Sequence, residues 1–391
     1  MDYLARQVCL PYPKLFKYRL TKYCMSKERC RWGILGTAGI ARKNWQAIRN
    51  SGNGQLVAVG SRTEERAKEY IAENQSQIPH DTPPKPIAGY DEMIAADDID
   101  ALYIPLPTAV RKSYVLKAAA AGKHVLCEKP CGVDAAHLQE MIDACASAGV
   151  QFMDGVMFMH SDRMPALRAE LDAGDAVGEI KRIATQFSFK APDDFFEENI
   201  RINSNLEPLG SLGDLGWYCI RIILWTLNYE MPVSLTAKMI RQSEPGDSSD
   251  PVPISLSAEL LFEGGITGSF YCSFETEHQQ WVNISGSRGH IAIPDFVLPY
   301  HGSEVGFDVE QAQFDVDLCN FHMERHTRRV AVEEYSDSHA TSQETKLFRK
   351  FGELVLGGEP NSHWPEISLK TQQVMDACFE SARNDGRRLI F

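Results

Sequence analysis

The sequence predicts an α/β protein in two parts: a parallel sheet with helices on both faces, then an α+β part built on a large, mostly antiparallel, open-faced sheet. Three observations carry this prediction. Residues 31–155 alternate short apolar runs with helical patterns. A glycine-bearing turn follows the first run, and a Glu128-Lys129-Pro130 triplet ends a later one, about ninety residues on. After Gly178 the pattern changes to runs of alternating polarity joined by short turns such as Glu263-Gly264-Gly265.

A chain of 391 residues suits two domains, each able to bury its own core. The expected boundaries are an amino-terminal arm over 1–30, a dinucleotide-binding part over 31–155 and an α+β part over 156–391. With 43% apolar and 24% charged residues the chain reads as a water-soluble protein. No apolar run approaches the roughly 18 residues of a membrane span. The net charge of −13 argues against a nucleic-acid partner, which needs a basic face to displace counterions, and favours a small-molecule substrate. Ten cysteines are scattered without a C-x-x-C pair, as in a reducing, cytoplasmic setting. Cys127 and Cys131 flank the triplet; Pro130 is expected to make their side chains diverge, and without clustered histidines no metal site is expected. The first thirty residues are basic, with Arg6, Lys14, Lys17, Arg19, Lys22, Lys27 and Arg29 against Asp2 and Glu28. Such an arm can pack on a neighbouring subunit, or direct import into an organelle.

Arg31 to Gly36 reads as a buried strand, and Thr37-Ala38-Gly39-Ile40-Ala41-Arg42 opens a helix that continues through Trp45 and Ile48. Strand, turn and helix make the first unit of a Rossmann fold. Gly36 permits the tight turn, Ala41 is small enough for close helix–strand packing, and Ala38 stands where glycine usually lets the backbone approach a pyrophosphate. A second strand, Gln55 to Gly60, ends in Ser61-Arg62-Thr63, with Arg66 in the first turn of the next helix. Serine and arginine there suit a 2′-phosphate and predict NADP over NAD. The alternative is a solvated Arg62 with Glu64 reaching the ribose of NAD. A short helix at Asp91 to Ile94 precedes a strand, Ile99 to Ile104, that runs into the corner Pro105-Leu106-Pro107-Thr108. A helix over 113–121 leads to the strand His124 to Cys127 and the triplet; a helix over 135–148 and a strand over 150–155 follow. Open α/β sheets bind ligands at the carboxyl ends of their strands, so Lys129 faces whatever the Gly36 turn holds, and a nicotinamide-dependent oxidoreductase is suggested.

Strands are expected over 181–190, 234–241, 254–262, 266–274, 282–285 and 290–294. Between the first two, Gly210-Ser211-Leu212-Gly213-Asp214-Leu215-Gly216-Trp217-Tyr218 opens a helix, and Asp214 and Tyr218, four apart, share one of its faces. By itself this is a helix whose first acid suits the dipole and whose tyrosine suits a packing surface. Considered with Lys129, the two complete a Lys, Asp and Tyr set that could move a hydroxyl proton while hydride leaves the carbon. His322 and His326 are four apart in a polar stretch without the acid of a metalloprotease motif, which reads as a solvated, partly irregular segment. A closing helix is expected over 369–384.

Gly36, Glu128-Lys129-Pro130 and the Gly210–Tyr218 segment, in this order over residues 31–391, make the chain resemble the Gfo/Idh/MocA oxidoreductases, the family of glucose–fructose oxidoreductase and inositol 2-dehydrogenase; Leu106-Pro107-Thr108 and Asp154-Gly155 add a closer resemblance to its plant-type members, with xylose dehydrogenases and dimeric dihydrodiol dehydrogenases more distantly similar. The resemblance implies a cofactor, NADP or alternatively NAD, held by Gly36 to Ala41, Ser61, Arg62, Arg66, Pro105, Leu106, Pro107, Glu128, Lys129 and Pro130. It implies substrate between the two parts, with Lys129 on the reacting hydroxyl, Asp214 and Tyr218 beside it, and His160 and Arg163 lining the pocket or else packed at a helix start. A phenol titrates near 10, so Lys129 would have to lower Tyr218 for it to act as a base near neutrality. Arg111 stands where many members carry histidine. The implied activity is hydride transfer between nicotinamide and a hydroxyl of a sugar, polyol or dihydrodiol; an NAD-assisted glycosidase and a non-catalytic nucleotide-binding regulator are the alternatives. The exposed face of the second sheet suggests a homodimer or homotetramer.

Overall fold

The structure is a computed structural model that describes residues 29–244 and 250–391. The expected basic arm therefore lies, but for Arg29 and Cys30, outside the described residues.

The first sheet contains β1 (Cys30–Leu35), β2 (Gly54–Ser61), β3 (Lys85–Ala88), β4 (Ala101–Ile104), β5 (His124–Cys127) and β6 (Phe152–Asp154), all parallel, in the order β3-β2-β1-β4-β5-β6. Helices α1 (Gly39–Asn50), α2 (Glu64–Gln77), α3 (Tyr90–Ala95), α4 (Thr108–Ala120) and α5 (Ala135–Ser147) connect the strands. Strand order reverses between β1 and β4, and the crevice at their carboxyl ends is where such sheets hold ligands. Side-chain caps start two of these helices: Thr63 Oγ1 accepts from the Arg66 N–H at 3.4 Å, and Asp134 Oδ1 accepts from the His137 N–H at 2.7 Å. Strand β3, Lys-Pro-Ile-Ala, is not legible in advance, because a half-exposed edge strand with a proline carries no alternation to read.

The second part begins with α6 (Arg163–Ala173), β7 (Ile180–Ser188), α7 (Phe195–Glu198) and α8 (Trp217–Thr226). It continues through β8 (Ser234–Gln242), β9 (Pro253–Leu261), β10 (Thr267–Ser273), β11 (Gln279–Gly286), β12 (His290–Ile293), β13 (Glu304–Asp317) and β14 (Asn320–Glu333) to α9 (Gln343–Gly357), α10 (His363–Arg383) and β15 (Leu389–Ile390). The nine strands follow the order β14-β13-β12-β11-β7-β10-β9-β8-β15, with β7 and β10 parallel and the other ladders antiparallel. Ile183, Phe187, Phe270 and Ile284 bury one face, against which α8 packs, while Arg182, Gln186, Tyr271 and Trp281 stand on the open face.

Residues 304–333 depart from expectation. The polar stretch holding His322 and His326 forms two 14-residue strands paired throughout, and the ribbon beyond Glu310 and Thr327 is exposed on both faces. No face of it enters the core, so its alternation stayed hidden among charged residues. His322 and His326 flank Glu324, at 3.1 Å and 3.2 Å from its carboxylate oxygens.

The last helices return to the first sheet. Leu347, Phe348 and Phe351 seat α9 on α1 and β1, with the Phe348 ring edge-on to Trp32 at 5.0 Å and to Tyr103 at 5.6 Å. Helix α10 lies between α5 and β6 on one side and α8 and β8 on the other. Arg221 of α8 and Asp154 of β6, both fully buried, form an ion pair across the same junction, and Arg221 Nε also donates to Thr371 Oγ1 of α10 at 2.8 Å.

Candidate active site

Element ends from both parts converge at the crevice beyond β1 and β4. Gly36 turns the chain out of β1 at φ +119°, in the left-handed region, and a Cβ there would stand 3.0 Å from Leu106 Cδ2 of the proline corner. Three residues on, no atom lies within 4 Å of the place a Cβ would take on Gly39, at the open amino end of α1. A cleft of about 430 Å³ spreads from this turn across Ala38, Gly39, Ile40, Pro105, Leu106, Pro107, Glu128, Lys129 and Pro130 to Asp214 and Tyr218. Bare backbone at a helix start, an apolar corner and a cation fit a dinucleotide with its pyrophosphate on α1.

Lys129 leaves the end of β5 through a cis peptide bond to Pro130. Its Nζ donates to Asp214 Oδ1 at 2.8 Å and to the Asp214 carbonyl at 2.7 Å, and lies 4.8 Å from the centre of the Tyr218 ring. The segment Leu212–Gly216 is a single π-helical turn that runs into α8, so Asp214 and Tyr218 face the same cleft as expected. Gly213 makes the approach possible: a Cβ there would meet Leu209 Cβ at 2.8 Å and Pro130 Cγ at 3.1 Å.

Buried side chains hold this geometry from behind. Arg111, fully buried, donates to the carbonyls of Leu106, Glu128 and Pro130, and so ties the proline corner to the triplet. Glu128 accepts the Tyr103 hydroxyl at 2.6 Å and the Lys129 N–H at 3.2 Å. Gly155 leaves room for it, since a Cβ there would lie 3.1 Å from Glu128 Oε1. Glu207 accepts from the Thr108 N–H at 3.0 Å and its hydroxyl at 2.6 Å.

Electrostatics assign the protons. Burial would raise the Asp214 carboxyl, but the Lys129 and Arg201 cations outweigh it and hold the group at about 2, so it is a carboxylate at neutral pH. Tyr218 goes the other way. Burial pushes its phenol well above 10, and the charges of Glu128 and Asp214 add to the shift. Lys129 covers the ring face, and no lowering of the phenol results. Tyr218 is therefore protonated near neutrality, and the lowering by Lys129 that a base would need is not found.

Several expected residues are elsewhere. His160 stacks on Trp364 with centroids 4.8 Å apart, and burial lowers its imidazole to about 3, so it is a neutral packing residue. Arg163 is spent on the core: it pairs with Asp295 at 2.6 Å and donates to the carbonyls of Asp295 and Phe296. Neither lines the cleft. Ala41 is buried on the inner face of α1, and Thr37 and Ser61 are outside the cleft lining. Arg62 and Arg66 are exposed just past β2, and both cations act on the Tyr90 phenol, which places them together at that end. Cys127 and Cys131, expected to diverge, are buried with their thiols in hydrogen-bonding reach of each other. No group of three or more His, Cys, Asp or Glu side chains is arranged to hold a metal among the described residues.

Sequence reasoning missed Arg201, whose Nε is ion-paired with Asp214 Oδ2 at 2.8 Å, and Phe187, Phe189, His278 and Leu298, which line the same cleft. No spacing signals them, because they come from a loop and from strand ends far apart in the chain.

Comparison with known proteins agrees with this architecture. Residues 30–156 match the model of an oxidoreductase family with an NAD-binding Rossmann fold, and residues 166–292 match the GFO/IDH/MocA C-terminal domain. The chain is 29% identical over 356 residues to a D-xylose 1-dehydrogenase (NADP(+)) of Haloferax volcanii, covering 90% of this chain and 97% of that one. It is 31% identical over 269 residues to the trans-1,2-dihydrobenzene-1,2-diol dehydrogenase of Sus scrofa, covering 68% of this chain and 74% of that one. Among solved structures, KijD10, a 3-ketoreductase from Actinomadura kijaniata in complex with TDP-benzene and NADP, superposes with a TM-score of 0.74 at 25% identity, over 92% of this chain and 98% of that one. Two family models in chain order, spanning more than half the sequence, leave one assignment: the protein belongs to the Gfo/Idh/MocA family of oxidoreductases.

Proposed function

We propose that this protein transfers hydride between NADP and a CH–OH carbon of a sugar-like or polyol-like substrate, with Lys129, Asp214 and Tyr218 at the reacting oxygen. The observation that carries the reading is the meeting of those three side chains, from the two parts of the chain, at the carboxyl edge of the strand-order reversal. Bound NADP supplies the acceptor, or in its reduced form the donor, of hydride. Lys129 holds the substrate oxygen and stabilises the negative charge that builds on it. Asp214 fixes the ammonium through two hydrogen bonds. Tyr218, protonated at neutral pH, donates to the same oxygen as a carbonyl becomes a hydroxyl. A panel of aldoses, polyols and their keto forms, followed by the absorbance of reduced nicotinamide in both directions, tests this; tight NADP binding with no turnover anywhere in the panel would overturn it.

Preference for NADP rests on Arg62 and Arg66 beyond β2, where Arg62 rather than a carboxylate directly follows Ser61 and the nearest acid, Glu64, is paired with Lys68 at 2.6 Å. Replacing both by alanine is expected to weaken NADP binding about tenfold to a hundredfold, the worth of charge-assisted hydrogen bonds, and to leave NAD binding nearly unchanged. Equal losses for both cofactors in a fluorescence titration would contradict the assignment.

The reading includes a homodimer joined through the open sheet face. Register puts Phe314 opposite Met323 and Val316 opposite Phe321, on the side of the sheet that also carries Ala292, Asn283 and Trp281. The apolar side of the exposed ribbon thus continues the open face, and a two-fold axis stacking two such faces would lay each ribbon along its partner. Phe314→Asp combined with Phe321→Asp is expected to shift sedimentation from dimer to monomer; a wild-type protein that is monomeric at micromolar concentration refutes the dimer. The described cysteines are all free and all but Cys319 are buried, which supports a reducing, cytoplasmic setting. No described helix is long and apolar enough to cross a membrane.

A further inference from the structure

The cleft is lopsided in its unused hydrogen-bonding capacity. Every carboxylate oxygen on its walls already accepts: Asp214 from Lys129 and Arg201, Glu128 from Tyr103 and the Lys129 N–H, and Glu207 from both donors of Thr108. Donors are left over. Lys129 Nζ spends two of its three hydrogens on Asp214, and the Tyr218 hydroxyl has no protein partner among the described residues. Arg201 commits only Nε, so both terminal nitrogens of its guanidinium are without a protein acceptor among the described residues. One carboxylate, Asp214, is shared between the two cations that meet the cleft, Lys129 and Arg201, and the cleft lining as a whole carries Lys43, Arg111, Lys129 and Arg201 against Glu128, Glu207 and Asp214.

Orientation makes Arg201 more than a surface charge. Nε lies 2.8 Å from Asp214 Oδ2, and because Asp214 is itself only 14% exposed and held by Lys129, this contact anchors one edge of a guanidinium whose side chain is otherwise 41% exposed to the cleft and solvent. A guanidinium fixed by one edge presents its other N–H groups as a preformed site for a planar anion. The two cations grip opposite oxygens of one carboxylate, so an anion on Arg201 lies within a few bonds of an oxygen on Lys129. Phe187 and Phe189 line the same cleft, and apolar walls strengthen such a pairing by lowering the local dielectric.

From these positions we infer that the substrate carries an anionic group a few atoms from its reacting carbon, and that Arg201 is the residue that selects it. A sugar acid, aldonate or uronate, meets this description with its carboxylate on the fork and a ring or chain hydroxyl on Lys129; a sugar phosphate ester offers the same charge on a longer reach. The inference rests on the oxidoreductase reading for the location of the substrate but is tested through binding as well as turnover.

The experiment uses the full chain loaded with NADP. Calorimetric titration with gluconate, glucuronate, glucose 6-phosphate, glucose and xylose is compared between wild type, Arg201→Lys and Arg201→Met. Expected is binding of at least one acid about tenfold to a hundredfold tighter than its neutral counterpart, with most of that margin lost in Arg201→Met and partly kept in Arg201→Lys. Where turnover is measurable, the loss should fall on KM for the acid more than on kcat. The carboxylates and the phosphate ester form separate arms, and whichever binds tighter names the anion. Neutral and acidic sugars binding alike, acids failing to bind, or a margin unmoved by Arg201→Met would each overturn the inference. Binding of acids without hydride transfer would keep the anion site and reject the oxidoreductase reading, so the two fail separately.

Discussion

Lys129→Met is expected to lower turnover by about two to four orders of magnitude while NADP affinity stays within a few-fold of wild type. The side chain is replaced by one of similar length, so the cleft keeps its shape, but the ammonium that steadies charge on the substrate oxygen is gone. Its loss also leaves Asp214 with Arg201 as its remaining cation partner, so that carboxyl should rise from about 2. The linkage sign is fixed by the wild-type direction. A carboxyl depressed in the folded state stabilises the protein above its unfolded value and loses that contribution as pH falls through the folded value, so the variant should lose stability at a higher pH than wild type. Tyr218→Phe in the same assay separates roles: a protonated donor removed should cost less than the cation, with the larger loss in the carbonyl-reducing direction. Turnover of Lys129→Met near wild type, with cofactor bound, would exclude the proposed chemistry.

Asp154→Ala or Arg221→Met should destabilise the fold by about 3–5 kcal/mol, the usual cost of leaving one partner of a buried ion pair uncompensated. Arg221 and Asp154 are at or below 1% exposure, and the pair joins β6 to α8, the helix that carries Tyr218. Replacing both together, as Asp154→Leu with Arg221→Met, should cost clearly less than the sum of the single changes, because no charge is then stranded. Guanidinium denaturation of the three variants measures this. Single variants within about 1 kcal/mol of wild type would mean that the junction is held by α10 and apolar packing instead.

Legibility in the sequence followed burial. The six-stranded parallel sheet announced itself as apolar runs ending in glycine or proline, because strands covered on both faces must be apolar throughout. Its edge strand β3 did not, and neither did the ribbon of β13 and β14, whose outer half has no core to pattern it. Helix α9 was also missed: its stripe of Leu347, Phe348 and Phe351 reads as polar sequence interrupted by three apolar residues until Trp32 and Tyr103 are placed under it. At the site, Gly36, Lys129, Asp214 and Tyr218 were visible because each sits beside a residue with a backbone reason to be there: a tight turn, a proline, or a glycine that permits close approach.

What the order of residues determined by itself was therefore the class of fold, the family, the glycine turn out of the first strand and the three side chains that meet in the cleft beside it. Those features depend on local geometry and short-range pattern, which a linear text preserves. Tertiary structure alone decided that Arg201 shares Asp214 with Lys129, that Arg111 ties two loops together from beneath, and that His160 and Arg163 are packing residues. It also decided that Tyr218 keeps its proton. Each of these rests on how far a charge is from water and from other charges, and that distance is set by segments many residues apart, whose meeting no local pattern records.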